Sequence, residues 1–256
     1  MSTVCAAVIA RDAATIIERC LRSLQWADSL LVVVDDRTVD ATAEVAASVG
    51  ARVEHHRFED YARQRNAALE MADADWVFFV DADEEGTPEL AEEIRWITGL
   101  YEGAAPGYWV PRRNIILGRW IRHAGWSPDY QMRLLRRADA HYREDRIVHE
   151  LVDLKGQAGY LRNPLTHYNY ATLGEFLARQ RRYAHMEAIN RNRQGVRIKP
   201  QNYVLQPWRQ FWRRFVTLEG YREGWLGFVL SVLLGYYELR TYLELRKLTS
   251  GGGGRP

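Results

Sequence analysis

The chain has 256 residues and 29.7 kDa, with 47% hydrophobic and 27% charged residues, a formal net charge of +2 and two cysteines. This excludes a disordered chain and allows one sizeable α/β domain plus an appendage, while the charge is too small to argue for a nucleic-acid partner. Cys5 and Cys20 fall in an apolar run and on an apolar helix face, as reduced core residues of a reducing compartment do. The opening "MSTVCAAVIARD" lacks a basic segment followed by a long apolar one, so it reads as a first core strand and not a secretory signal.

In chain order, "TVCAAVIA" is a continuous apolar run suited to a strand covered on both faces. Asp12 is placed to cap the next helix, in which Ile16, Ile17, Cys20, Leu21 and Leu24 mark one face. "LLVVV" (30–34) is a second buried strand ending in "DDRTVD", where Asp40 can cap the helix "ATAEVAASVG" and Gly50 can stop it. "ARVEHH" is a short third strand. "DYARQRNAALEMA" is a helix with Ala67, Ala68 and Met71 towards the sheet. "WVFFV" (76–80) is the fourth strand, and Thr87-Pro88 opens a helix to about Ile97.

Strands alternating with helices imply a mostly parallel sheet with right-handed crossovers. Such sheets bind ligands at the carboxyl ends of their strands. Those ends are Arg11-Asp12, Asp35-Asp36 and Asp81-Asp83, and all carry acid. Neither Gly-x-Gly-x-x-Gly nor Gly-x-x-x-x-Gly-Lys-Ser/Thr occurs, which disfavours a Rossmann dinucleotide site and a P-loop. Asp81 and Asp83 are two apart, so an extended strand end turns both to one side, where they can hold a hard divalent cation. The competing reading is a polar loop leading into a helix, and Glu84 and Glu85 are assigned to that helix N-terminus. Asp36 can accept hydrogen bonds from a nucleobase imide or a ribose hydroxyl. Arg65-Asn66 is assigned to a diphosphate site, whereas Arg63 is equally a solvated helix face.

With these pieces in order, "AVIARDAATIIERCLRSL", "VVVDDRTVDATAEVA", "RQRNAALEMADADWVFFVDADEE" and "MRLLRR", the sequence resembles glycosyltransferase family 2 over about residues 3 to 190. The stretch "PRRNIILGRWIRHAGWSPDYQMRLLRR", then "VHE" and "HYNY", resembles the branch of lipopolysaccharide-core glucosyltransferases and related cell-surface sugar transferases. The resemblance implies a GT-A fold, an inverting mechanism, a nucleotide-diphosphate sugar donor (a UDP-sugar expected) and Mg2+ or Mn2+. By position, Asp36 resembles the nucleobase-binding acid, Asp83 the metal ligand of the Asp-x-Asp pair, and Asp81 its ribose- or water-contacting member. The donor site then draws on Ala10, Arg11, Asp36, Arg37, Arg65, Asp81 and Ala82, and the metal site on Asp83, Asp81, His149 and His167. The chain departs from the common Asp-Asp-Gly-Ser-Thr-Asp pattern at Arg37, Thr38 and Val39, and a family-typical Asn is Asp12 here.

"GYWVPRR" (107–113) and "QMRLLRR" (131–137) read as strands, with an aromatic, basic loop between them. Its Trp120 and Trp126 either stack on sugars or cover the sheet edge. Inverting transfer needs one general base. The resemblance places Glu150 there, with Asp129 as the rival. Beyond Thr172 lies a long basic helix. Trp208, Phe211, Trp212 and Phe215 then recur at i, i+3, i+4 and i+7 beside Arg209, Arg213 and Arg214, as in an interfacial helix on anionic lipid. "WLGFVLSVLLGYY" is shorter than the roughly 20 residues a bilayer span needs.

The expected organisation is a GT-A catalytic domain over 1–170, divided near residue 100 into donor and acceptor halves. A helical extension follows over 171–250 with a membrane-surface or homo-oligomer contact, then a flexible tail. The expected activity is metal-assisted transfer of a sugar to a lipid-linked or envelope glycan at the inner face of the cytoplasmic membrane. A GT-A-like nucleotidyltransferase and an inactive sugar-nucleotide-binding scaffold are the alternatives, and no nucleic-acid partner is expected.

Overall fold

Every residue of β1 (Val4–Ala10) is apolar, and the strand is covered on both faces as its composition requires. Val4, Ala6 and Val8 point into one core layer, and Cys5 and Ala7 into the other. The computed structural model describes residues 2–100, 103–144 and 152–251. The chain divides into two units, Met1–Arg113 with Asp129–Tyr168, and Asn114–Pro128 with Asn169–Pro256.

In the first unit, α1 (Ile17–Ser23), β2 (Ser29–Val34), α2 (Thr42–Ser48), β3 (Arg52–His55), α3 (Tyr61–Met71) and β4 (Trp76–Asp81) follow in alternation. β5 (Glu84–Gly86) and α4 (Pro88–Thr98) come next, then β6 (Gly107–Ile116). β7 (Arg119–Trp120) belongs to the second unit, and β8 (Tyr130–Arg136), β9 (Ala140–Tyr142), β10 (Val152–Leu154), β11 (Gly159–Tyr160) and β12 (Leu165–Tyr170) complete the strands. The main sheet runs β3-β2-β1-β4-β8-β6-β12-β5. Its first four strands are parallel, with Ala10 opposite Val34 and Ile9 opposite Asp81, so their carboxyl ends form one edge. From β8 onward the main pairings of known direction are antiparallel, as in β4 with β8, β6 with β8 and β12 with β5. The sheet is therefore mixed: among the described residues no α-helix lies between β6 and β12, and such a helix is the usual crossover between parallel strands.

Helix ends explain several local departures. Thr87 caps α4, its hydroxyl accepting from Leu90 N at 3.2 Å with Pro88 in the first turn, and Asp60 caps α3 by accepting from Arg63 N at 2.9 Å. Gly50, at φ +86, follows the end of α2. Asp12 is not a helix cap: α1 starts at Ile17, and Asp12 instead takes φ +48 and accepts from Val39 N at 2.9 Å. That left-handed backbone suits Asn or Asp better than other non-glycine residues. Asp40 meets the start of α2 one residue early, accepting from Thr42 N at 3.1 Å and from Ala14 N at 2.9 Å.

The second unit is chiefly helical, with α5 (Leu173–Arg193), α6 (Asn202–Trp212) and α7 (Gly224–Gly251). Thr172 caps α5, its hydroxyl accepting from Glu175 N at 3.1 Å. Residues 114–128, expected with the first domain, group with these helices, and Glu223 at the entry to α7 holds the loop by accepting from Arg122 N, His123 N and His123 Nδ1. Among the described residues no helix is long and apolar enough to cross a membrane.

Candidate active site

At the carboxyl edge of the parallel strands, β1 and β2 leave a cleft of about 300 Å³ lined by Ile9, Ala10, Arg11, Asp35, Phe58, Tyr61 and Gln64. Phe58 and Tyr61 meet edge to face at 5.0 Å, giving the cleft an aromatic wall. Asp35 is buried and fully engaged. It takes Arg37 Nε at 3.1 Å and Nη2 at 2.9 Å, the Arg37 amide at 3.2 Å and the Phe58 amide at 3.3 Å. The Arg37 side chain is the main reason its carboxyl is held down to about 2, with those amides adding to it against the effect of burial. Arg37 is in turn fixed on Asp35 and on the Phe58 carbonyl at 2.9 Å. Asp36 is exposed beside this assembly and, among the described residues, has no hydrogen-bond partner.

The end of β4 is organised differently from what four consecutive acidic positions suggest. Asp81 meets Arg133 of β8, with Nη1 on Oδ1 at 2.9 Å and Nη2 on Oδ2, and Arg65 of α3 at 3.3 Å. Glu84 is completely buried. It accepts from the Asp81 amide at 3.0 Å, from Arg133 Nη2 at 3.1 Å and from Arg112 Nη1 at 3.3 Å. Arg112 continues to Asp129 through Nε at 2.9 Å and Nη2 at 2.8 Å, and Gln131 Nε2 holds the other Asp129 oxygen at 2.9 Å. Three carboxylates thus interleave with three guanidiniums. Burial would raise the Asp81 carboxyl, but Arg133 and Arg65 overcome it and hold it well below the carboxylate range, whereas burial wins at Glu84 and pushes it up.

Two sequence assignments change here. Glu84 and Glu85 do not serve the N-terminus of α4: they lie in β5, Glu84 in the buried network and Glu85 paired with Arg19 and accepting from the Tyr168 hydroxyl at 3.3 Å. Asn66 is structural: its amide brackets Tyr142, donating to the carbonyl at 2.9 Å and accepting from the amide at 2.8 Å. Arg65 is buried against Asp81 and over the Phe79 and Tyr142 rings, while Arg63 is exposed and paired with Glu59 and Glu144. Arg112 and Arg133 lie outside the set of site residues that the sequence suggests. Their signal is an arginine inside a strand run, Arg133 in "MRLLRR" and Arg112 in "GYWVPRR", where a buried charge demands a partner.

Asp83 stands outside the arginine network. Its side chain is 30% exposed, and its Oδ2 lies 3.5 Å from Nε2 of the buried His167 on β12. The juxtaposition follows from strand register, since His167 is opposite Glu84 and Tyr168 N donates to the Asp83 carbonyl at 3.0 Å. A carboxylate oxygen and an imidazole nitrogen suit a divalent cation that takes its remaining ligands from water and phosphate oxygens, as Mn2+ does and Mg2+ does with a stronger bias to oxygen. Among the described residues no group of three metal-ligating side chains gathers. Ala82 is half-buried between the two aspartates and packs on the core. His149 and Glu150 lie outside the described residues. In the second unit Trp126 packs edge to face on Tyr170 at 6.1 Å, and Trp120 is 37% exposed beneath the Arg122 guanidinium at 4.0 Å.

The sequence profile of glycosyl transferase family 2 matches residues 5–148. The chain is 25% identical over 233 residues, 89% of its length and 86% of the relative's, to the lipopolysaccharide core biosynthesis glycosyltransferase LpsC of Rhizobium meliloti strain 1021. It is 24% identical over 253 residues to an uncharacterized glycosyltransferase of Rickettsia bellii strain RML369-C, covering 94% of this chain and 85% of that one. Among solved structures it is similar in fold to a mannosyltransferase from Pyrobaculum calidifontis in complex with GDP-Man and Mn2+, with a TM-score of 0.56 at 11% identity over 96% of this chain and 87% of that one.

Proposed function

The chain belongs to glycosyl transferase family 2 and is a glycosyltransferase of GT-A fold; on that premise we propose that it performs inverting, metal-assisted transfer from a nucleotide-diphosphate sugar to a hydroxyl of a lipid-linked or envelope glycan. Family membership removes the nucleotidyltransferase alternative. The observation that carries the metal reading is the pairing of Asp83 with His167 at 3.5 Å, outside a network in which Arg65, Arg112 and Arg133 neutralise Asp81, Glu84 and Asp129.

The nucleoside occupies the cleft with the aromatic wall of Phe58 and Tyr61. Asp35 is saturated by Arg37 and two amides, which leaves exposed Asp36 as the acid that accepts from the base. Arg37 acts as a tether for the Asp35 turn and not as a phosphate ligand. Asp81, clamped by Arg133, offers a fixed acceptor edge for the ribose, and Asp83 with His167 holds the divalent ion. That ion, when bound, neutralises charge on the departing diphosphate.

Transfer forms a bond from the acceptor oxygen to C1 of the sugar as the C1–O bond to the diphosphate breaks, with the acceptor proton passing to a carboxylate. Glu150 is the proposed base. Asp129 is a poor alternative because Arg112 and Gln131 occupy its oxygens. The donor proposed is a UDP-sugar. The GDP-Man and Mn2+ of the structural neighbour support a sugar nucleotide with a metal, and the lipopolysaccharide-core name of the relative supports an envelope acceptor, which we place at the cytoplasmic membrane face.

The test is release of nucleoside diphosphate from a panel of UDP- and GDP-sugars with Mg2+ or Mn2+. Release that needs the metal and is lost in Asp83→Ala is expected. Equal release in the presence of a chelator, or from the variant, would overturn the metal assignment.

A further inference from the structure

Residues 188–218 contain seven basic residues and no acidic one, an imbalance the near-neutral whole chain hides. Part of that charge gathers at a cup of about 680 Å³ in the helical unit, lined by Arg191, Arg209, Arg213, Trp208, Trp212 and Glu238 among others. Arg191 is spent within the protein, on Glu238 at 2.8 Å and Glu187 at 2.8 Å, and forms a fixed wall. Arg209 and Arg213 are exposed and carry no ion pair among the described residues. Local positive charge is strong enough to act on a neighbour, since burial and then Arg213 push the Arg214 guanidinium below its ordinary value. The cup therefore offers two uncommitted guanidiniums, whose forked donors match phosphate oxygens.

An aromatic surface continues from the same side chains. Trp208 contacts Trp212 at 5.9 Å and Phe211 at 5.6 Å; Phe211 meets Phe228 of α7 at 6.0 Å, and Phe228 stacks on Trp225 at 5.7 Å. Phe211 and Phe215 anchor this chain by packing on Phe228, so the predicted stripe divides. Its inner rings join α6 to α7, and its outer rings remain open, with Trp208 and Trp212 at 56% and 49% exposure, beside Trp225 of α7 at 76%. Exposed tryptophans beside unpaired arginines combine the groups that favour acyl-chain boundaries with those that favour anionic headgroups.

We propose that this cup binds the phosphodiester headgroup of an anionic lipid in a bilayer surface, with Trp208, Trp212 and Trp225 seated at the acyl boundary. It deepens, and rests on, the membrane-face part of the function proposed above. The charge complementarity of Arg209 and Arg213, next to exposed rings, selects an anionic bilayer over a protein partner.

The test is co-sedimentation of the full chain with phosphatidylcholine vesicles, with and without phosphatidylglycerol, alongside donor hydrolysis in solution. Binding only to the phosphatidylglycerol vesicles is expected, with little competition from inorganic phosphate. Arg209→Ala with Arg213→Ala should weaken it about 25-fold, at about fivefold per basic residue near an anionic surface, while donor hydrolysis is unchanged. Trp208→Ala with Trp212→Ala should also release the protein, by a route insensitive to salt. Equal binding to neutral vesicles, or displacement by inorganic phosphate alone, would overturn the headgroup assignment. Retained binding by the double arginine variant would leave membrane association standing and sink the cup, and no vesicle binding at all would sink both. None of these outcomes touches the donor reaction, which hydrolysis reads separately.

Discussion

Arg133→Met is the sharpest probe of the buried network. The guanidinium is 2% exposed and joins Asp81 to Glu84, whose side chain is 0% exposed. Methionine keeps most of the volume, so the perturbation is chiefly loss of charge. Removing one partner of a buried ion pair costs about 3–5 kcal/mol. Arg65 and Arg112 remain at 3.3 Å from Asp81 and Glu84, which points to the lower end of that range. At about 2–4 °C per kcal/mol for a chain of this size, a loss of about 3 kcal/mol lowers Tm by about 6–12 °C at neutral pH.

The pH dependence separates charge from packing. In the native protein the Asp81 carboxyl is held below its unfolded value, so it contributes stability above that unfolded value, lost as pH falls through the folded one. Without Arg133 burial raises Asp81, adding to the already raised Glu84, and a raised carboxyl subtracts stability as pH climbs above its unfolded value. The Tm gap is therefore widest near pH 8, narrows towards about pH 4 and narrows further as pH falls through the folded value of Asp81, by at most about 1.4 kcal/mol per pH unit for each titrating group. Calorimetry across that range is the assay. A gap of constant size would refute the electrostatic account and assign the loss to packing. In a Glu84→Gln background the same substitution should cost less, with a coupling of about 0.5–3 kcal/mol.

Other positions give independent checks. Asn66→Ala removes both hydrogen bonds that bracket Tyr142, at 2.9 and 2.8 Å, and should cost about 2–3 kcal/mol with faster hydrogen exchange at the Tyr142 amide. Gly227→Ala should lower Tm although alanine is favoured in a helix by about 1 kcal/mol, because its Cβ would lie 1.9 Å from the Gly220 carbonyl oxygen. The resulting shift sits at or above the upper end of the roughly 1–3 kcal/mol that overpacking costs; a rise in Tm would contradict the close approach. The Asp35 carboxyl, held to about 2 mainly by the Arg37 side chain, contributes stability that is present above its unfolded value near about 3.9 and lost as pH falls through 2. Arg37→Ala should move its NMR titration and the acid transition to higher pH, and an unchanged titration would remove Arg37 as the cause.

Much of the N-terminal half was legible because its signals are local. "LLVVV" is a short β-branched apolar run that suits a strand covered on both faces, Thr87-Pro88 carries its own cap, and Gly50 supplies the left-handed residue that ends a helix. Motif order carried the family, which the profile over residues 5–148 then matched. The charges of "DADEE" were less legible, since the partners of Asp81 and Glu84 sit on β6, β8 and α3, up to 52 residues away in the chain, and Glu85 meets Tyr168 of β12 across 83 residues. No local window distinguishes an acid that caps a helix from one buried against an arginine brought by another strand.

The sequence by itself determined the alternating strands and helices, the acidic strand ends and the aromatic, basic character of the C-terminal segment. Each follows from periodicity or composition within about a dozen residues. Only the tertiary structure decided that Arg133 and Arg112 neutralise Asp81, Glu84 and Asp129, that His167 comes to Asp83, and that Trp208 and Trp212 stay open while Phe211 and Phe215 pack inward. The reason is physical: a charge or a ring takes its energy from whatever lies within a few ångströms, and for these side chains strand register and helix packing choose that neighbour.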